Sequence, residues 1–460
     1  MKNILKTLHS GVRKKSDQAT RVLLGFFLIV ILLGTVLLAL PVSSRSGEGC
    51  GFMTALFTAT SATCVTGLST VDTYTQWSGF GQVVLLLLIQ VGGLGYMAFV
   101  SIFYYALRRR IGLRERLILQ QAMALNELDG VVRLLRIMLI GTFLTEGIGA
   151  LILTVRFAML YPFGKALWMG VFHSISAYCN GGFDLMGFMT PGSSLTAWSG
   201  DYVVMLTLSA VIIIGGLGFF VWNDLLMHRQ WKQLRRLSVY TKLVLVFTAV
   251  LVFGGMAAIA AVEWNNPETL GTMSVGGKLL AAFFQSVTTR TAGFFAVDQG
   301  ALTGSGKLIS ILLMFVGGSA GSTAGGIKTV SVGIILLMAV KVMRNRRDLV
   351  VFGRKIPQEQ INSAVSVAAL VVFLGLLGGV VLSATNGLPL GDCLYESVSA
   401  VCTVGLSTGI TAELNLLSRL ILIVFMIFGR VGIMTISFAF MTRIPSENII
   451  RRPETRILLG

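Results

Sequence analysis

Apolar positions in this chain do not alternate with polar ones as in a half-buried strand. They run together in long blocks, separated by short basic or glycine-rich stretches. Residues 22–40, 83–107, 243–262 and 364–384 carry no charged side chain, and such runs meet or approach the roughly 20 residues that a bilayer-crossing helix needs. Between the blocks lie shorter, half-apolar segments at 51–62, 165–177, 277–288 and 392–400, too short to cross. They are predicted to be re-entrant half-helices that enter from outside and return as extended backbone. That shape is tolerated at such depth only where protein buries it or it lines a watery cavity.

Each short segment ends in a variant of one loop. TATSATCVTGLST at 58–70 returns as SAYCNGGFD at 176–184, VTTRTAGFF at 287–295 and SVSAVCTVGLSTG at 397–409. The aligned glycines, Gly67, Gly182, Gly293 and Gly405, are spaced by close to a quarter of the chain, which marks an internal repeat. The apolar block after each loop has its own glycine signature: VGGLG from Val91, IGGLG from Ile214, VGGSAG from Val316 and FGRVG from Phe428. The predicted architecture is an all-α polytopic membrane protein of four units, each a span, a half-helix, a loop and a span, at 1–107, 108–223, 224–343 and 344–460. That makes eight crossings and four re-entrant loops. One such loop has a bland reading, because small residues also let membrane helices pack closely. Four in one register point to a shared centre.

Composition agrees: 54% of the 460 residues are hydrophobic and 12% charged, and mean hydropathy is +0.81, against about 25% charged residues in a soluble domain. The first block follows a basic amphiphilic start and lacks a small-residue cleavage site, so it reads as a retained span rather than a signal peptide. The net charge of +17 adds topology. Basic residues cluster at Lys2, Lys6, Arg13, Lys14, Lys15 and Arg21, then at Arg108, Arg109, Arg110, Arg114 and Arg116. Further clusters are Arg229, Lys232, Arg235 and Arg236, then Lys341, Arg344, Arg346 and Arg347, then Arg443, Arg451 and Arg452. Without interleaved aromatics these are not a nucleic-acid surface; by the positive-inside rule all five segments, and both termini, face the cytoplasm. Every unit then holds an even number of crossings and all share one orientation. Parallel units related by an axis along the membrane normal bring their loops together, whereas inverted repeats, typical of many alternating-access carriers, need an odd number.

The candidate filter residues are Val65, Thr66 and Gly67; Asn180, Gly181 and Gly182; Thr291, Ala292 and Gly293; and Thr403, Val404 and Gly405. None is acidic, which disfavours a calcium-type filter. Backbone carbonyls can replace the hydration shell of a monovalent cation without a formal charge that would trap it. Glycine opens the positive φ that aims them, and the half-helices point partially negative C-terminal ends inward. Cys50, Cys64, Cys179, Cys393 and Cys402 show no disulfide or zinc spacing and read as small buried hydrophobes. His9, His173 and His228 fall in no metal or triad motif, and no enzyme is indicated.

Two further features lie inside apolar blocks. The stretch Gly317, Gly318, Ser319, Ala320, Gly321, Ser322, Thr323, Ala324, Gly325 and Gly326 contains five glycines, each costing up to about 1 kcal/mol in a helix interior. It is predicted to be a broken helix just below the filter, able to occlude the path. A phosphate loop fails because Ile327 separates Gly326 from Lys328 and no strand precedes it. Arg430 sits in the otherwise uncharged segment 420–441, where Gly93 stands in the first unit. An arginine at that depth costs at least about 2.5 kcal/mol, so it faces a partner or cavity. The two readings are a structural ion pair, or a group that repels cations below the filter and hydrogen-bonds the glycine loop. For Glu146, also mid-span, a packing or pairing role is favoured, with a transport role left as the alternative.

With CVTGLS, CNGGF, TRTAGF and CTVGLS, the broken third-unit helix and the arginine of the last span, the chain resembles the Trk/Ktr/HKT superfamily of potassium transporters. By length it is most similar to the bacterial Ktr-type membrane subunit. The resemblance covers nearly the whole chain. It implies K⁺ uptake across the bacterial plasma membrane through a selective, gated pore driven by membrane potential. In that family a first-unit serine accompanies sodium permeation, so the four glycines imply potassium; Na⁺ dependence stays open. It also implies an intramembrane gate at 317–326, a homodimer, and a cytoplasmic nucleotide-binding regulatory ring that would hold ATP or ADP. No nucleotide fold is read in this chain. A Na⁺-permeable channel of the same fold and an alternating-access cation symporter are the alternatives.

Overall fold

Eight of the helices begin where the sequence supplies a fixed φ or a capping oxygen. Pro162, Pro357 and Pro389 each stand immediately before a helix, and Asp201, Ser238, Ser274, Thr303 and Asn415 each accept a backbone amide of the first turn, satisfying a donor the helix leaves free. A computed structural model describes residues 2–106, 131–228, 236–346 and 348–432. In chain order the helices of nine or more residues are α1 Lys2–Ala39, α2 Phe52–Thr63, α3 Gly79–Ala106, α4 Val131–Ala158, α5 Phe163–Tyr178, α6 Tyr202–Leu217 and α7 Phe219–Met227. They continue with α8 Val239–Glu263, α9 Val275–Thr288, α10 Gly304–Met314, α11 Thr329–Met343, α12 Gln358–Asn386, α13 Leu390–Val401 and α14 Leu416–Val431. A two-stranded hairpin, Val350–Val351 with Arg354–Lys355, follows α11.

Helices α1, α4, α8 and α12 each contain a stretch long and apolar enough to cross a membrane. They open the four predicted units. Rows of exposed apolar residues, such as Leu32, Leu33 and Val36 on α1 and Phe373, Leu376 and Val380 on α12, give the exterior that lipid requires. The short helices α2, α5, α9 and α13 lie within two residues of the predicted half-helices and bury most of their length. A hydrogen-bonded helix can sit inside the protein because its backbone groups are already paired.

The closing spans differ from expectation. Only the third was expected to break, yet the first and second do as well, and the described part of the fourth ends at a glycine. Gly95 interrupts α3 at φ 74°, and Gly218 at φ 84° separates α6 from α7 with an 89° bend. Residues 315–328 separate α10 from α11, with Gly321 at φ 72°. Gly432 ends α14 at φ 93°, within the stretch 420–441 read from sequence as one span; 433–441 lie outside the described residues. Each break uses the glycine that closes its signature, because a left-handed φ is open to glycine at little steric cost. The basic clusters at 108–116 and 443–452, residues 229–235 and Arg347 also lie outside the described residues.

Candidate ion pathway

The four loops share one backbone geometry. The residue two places before each aligned glycine has positive φ, namely Val65 at 55°, Asn180 at 59°, Thr291 at 71° and Thr403 at 51°. The glycines do too: Gly67 at 98°, Gly182 at 69°, Gly293 at 84° and Gly405 at 91°. Flipping the sign of φ at every other residue turns successive peptide planes so that their carbonyls face the same side. Three of the four non-glycine positions are β-branched, for which this conformation is an outlier costing about 1–2 kcal/mol each. Strain of that size repeated at equivalent positions belongs to a site rather than to a packing accident.

These glycines meet one another. A Cβ built on Gly67 would lie 2.9 Å from the Gly181 carbonyl oxygen and 3.0 Å from Gly182 Cα. One on Gly182 would lie 2.9 Å from Gly293 Cα, and one on Gly293 would lie 2.9 Å from the Val404 oxygen. One on Gly405 would strike the Thr66 oxygen and lie 3.0 Å from Gly67 Cα. The contacts close a ring in the order 67, 182, 293, 405. Buried side-chain oxygens beside it, Thr66 Oγ1, Thr403 Oγ1 and Asn180 Oδ1, accept or donate no hydrogen bond, although buried polar atoms are otherwise almost always satisfied. The Asn180 amide nitrogen reaches Thr291 Oγ1 at 3.4 Å, across two adjacent loops.

Hydroxyls that sequence reading did not single out hold the loops to their helices. Ser61 Oγ accepts from Gly67 N at 3.1 Å and Ser399 Oγ from Gly405 N at 3.0 Å. Ser176 Oγ donates to the Phe183 oxygen at 2.7 Å, and Thr288 Oγ1 to the Phe294 oxygen at 2.5 Å. In three loops the hydroxyl occupies the same place relative to the glycine and in the third it is shifted by one residue, a signal the alignment of the loops contains. His173 supports the second loop from α5: Nδ1 pairs with the Met169 oxygen at 2.7 Å, and Nε2 accepts from Leu185 N at 3.3 Å. That pair of bonds requires a neutral ring protonated on Nδ1.

Below the ring, residues 315–328 cross between units. Val316 and Ile327 bridge at its base. Ser319 N donates to Gly216 O at 3.0 Å, Phe219 N to Gly321 O at 3.0 Å, Thr323 Oγ1 to Tyr178 O at 3.0 Å and Tyr240 Oη to Ala320 O at 2.8 Å. A Cβ on Gly325 would strike Thr403 Oγ1, so the segment passes directly under the fourth loop. Arg430 binds the same segment. Its guanidinium donates to the carbonyls of Thr323 and Gly92, and to that of Gly93 at 2.8 Å. No carboxylate pairs with it among the described residues, and its partners are backbone carbonyls of the 317–326 stretch and of the first unit's glycine signature. Glu146 accepts from Gln90 Nε2 at 3.0 and 3.3 Å, joining α4 to α3. The five cysteines are free; four are buried, and Cys50 is half-buried. Burial pushes the Cys50 thiol above its ordinary value against an opposing backbone hydrogen bond.

A cation transport protein family model, TrkH, matches residues 3–452. The chain belongs to the TrkH family of cation transport proteins. This TrkH-family chain is 37% identical to the potassium/sodium uptake protein NtpJ of Enterococcus hirae over 98% of both chains. It is 38% identical to the Ktr system potassium uptake protein B of Bacillus subtilis over 95% of both. The solved potassium transporter TrkH from Vibrio parahaemolyticus superposes with a TM-score of 0.69, covering 90% of this chain and 84% of that one at 17% identity, a likeness of fold. The chain is thus a multi-pass membrane transporter and not an enzyme.

Proposed function

We propose that this protein carries K⁺ into the cell through a pore on the axis of the glycine ring. Val65 to Gly67, Asn180 to Gly182, Thr291 to Gly293 and Thr403 to Gly405 form the filter, with backbone carbonyls as ligands. The observation that carries this reading is the closed ring of left-handed glycines, each too close to its neighbour's backbone to admit a side chain. The orphaned oxygens around it offer further acceptors for a dehydrated cation. Helices α2, α5, α9 and α13 end at the ring, and each C-terminus contributes roughly half an elementary negative charge. Inside-negative membrane potential, worth about 2.3 kcal/mol per charge for each 100 mV, drives accumulation without pump chemistry.

Gly317 to Gly326 and Arg430 act as the gate. The segment lies under the filter, is buttressed by two other units, and is held by a positive charge that opposes cations. The termini face the cytoplasm, two copies form a homodimer with one pathway each, and a cytoplasmic nucleotide-binding ring regulates the gate. Support for a multi-part assembly comes from relatives named as proteins B and D of a Ktr system. Sodium remains a second reading as co-transported or permeant ion, favoured by the potassium/sodium name of the Enterococcus relative.

Uptake into proteoliposomes tests the filter. Wild type is expected to take up K⁺ or Rb⁺ in preference to Na⁺, and Gly67→Ser to lose about tenfold in that preference, since 1.4 kcal/mol at one of several ligand positions suffices. Undiminished discrimination in Gly67→Ser would remove Gly67 from the filter.

A further inference from the structure

The third quarter departs from the others at one position just before the glycine loop. The residue three places before the filter glycine is Cys64, Cys179 and Cys402 in the first, second and fourth loops, and Arg290 in the third. Arg290 is buried, and no carboxylate pairs with it among the described residues. Its Nη2 instead donates to Thr329 Oγ1 at 3.0 Å, Gly317 O at 3.4 Å and Thr248 Oγ1 at 3.5 Å, while Nε has no partner. Thr329 Oγ1 in turn donates to Gly317 O at 2.8 Å. Gly317 lies near the start of the 315–328 segment and Thr329 begins the helix after it, so one guanidinium bonds near both ends.

The other quarters need no such link. There the first glycine of the signature packs directly on the carbonyl that precedes the cysteine: Gly92 on Thr63, Gly215 on Tyr178 and Gly429 on Val401. In the third quarter a Cβ on Gly317 would strike Gly325 O instead, and would lie 3.3 Å from Cγ2 of the filter residue Thr291. Here the first glycine of the signature meets its own segment rather than the carbonyl at the end of the pore helix, and the arginine bridges the two. A buried guanidinium with an unpaired donor and no counter-ion is an expensive way to fill a place that cysteine fills three times. Stability does not account for it; a tie between two elements does.

We propose that Arg290 is a positioning residue that ties the end of α9, and so the third filter loop, to both ends of the 315–328 segment. The position of that segment and the geometry of one quarter of the filter are thereby set together. The functional half of this inference rests on the gate assignment above; the tie itself does not.

Full-length protein in lipid nanodiscs tests it by hydrogen exchange, with K⁺ flux in proteoliposomes as the second readout. The protected amides include Gly317 N on Ile327 O, Ile327 N on Phe315 O and Thr329 N on Gly318 O. Arg290→Cys, which installs the residue of the other three quarters, is expected to speed exchange across 315–329 by about tenfold or more and to raise basal K⁺ flux. Thr329→Val should act likewise, and the double variant should add nothing, because both remove one link. Arg290→Lys should fall between wild type and Arg290→Cys. Unchanged exchange in the segment, full additivity of the two variants, or equal acceleration in all four filter loops would each overturn the tie. If Arg290→Cys does not fold, Arg290→Lys and Thr329→Val decide by the same criteria. Absence of K⁺ flux in wild type would end the pore reading alone, since exchange still judges the tie.

Discussion

Gly405 and Gly409 lie on one loop with similar φ, 91° and 99°, yet their surroundings differ. A Cβ on Gly405 would strike the Thr66 carbonyl, whereas one on Gly409 meets nothing within 4 Å. Gly409→Ala is therefore expected to cost only backbone strain, about 1–2 kcal/mol, seen as a lower melting temperature with ion preference kept. Gly405→Ala should lose selective flux. Arg430→Ala deletes the bonds to Gly92, Gly93 and Thr323 and should raise basal flux; unchanged flux and gating would remove it from the gate. The glycines were legible in the sequence because a missing Cβ has few purposes four times over. Left-handed Val65, Thr291 and Thr403 were not, because nothing in a β-branched side chain announces a conformation it disfavours. The depth of Arg430 could be read from its apolar flanks. Its partners could not, since the Gly92 and Gly93 carbonyls are available only where the break at Gly95 takes away their helical donors.

Interrupted closing helices show how a local signal can fall below notice. Five glycines in ten residues announce the third break, while a lone glycine in an apolar helix costs about 1 kcal/mol and is ordinarily absorbed. Gly95, Gly218 and Gly432 become visible only when the four signatures are laid over one another. The breaks are not equivalent in consequence. A Cβ on Gly95 meets open space, but one on Gly218 would lie 2.6 Å from Ser319 Oγ, in the segment under the filter. Gly95→Ala should lower thermal stability with gating intact, and Gly218→Ala should alter open probability in single-channel or flux records. Tyr240→Phe removes one bond to Ala320 and should loosen that segment by about 1 kcal/mol, measured as faster amide exchange there.

Closure of the assembly relies on contacts between sequence-distant quarters. Lys307 on α10 pairs with Asp392 on α13 at 2.7 Å, joining the third to the fourth. Both side chains are partly exposed, so Asp392→Asn is expected to cost at most about 1 kcal/mol of stability, with the deficit shrinking as salt is raised. Repeat spacing located the half-helices to within two residues and the four glycines that meet in the ring. The ring's closure order and the crossing of residues 315–328 beneath another unit's loop depend on packing over hundreds of residues, and no short-range pattern encodes them.

A pore assembled from identical chains receives every coding change in quadruplicate. On the filter reading proposed above, each ligand position here is a separate codon, so an ion site with a single altered corner is one nucleotide event away, and intermediates between two ionic preferences are ordinary molecules rather than mixtures. Such a lineage can drift toward a new ion gradually, one side at a time, while the remaining three sides keep the cell supplied.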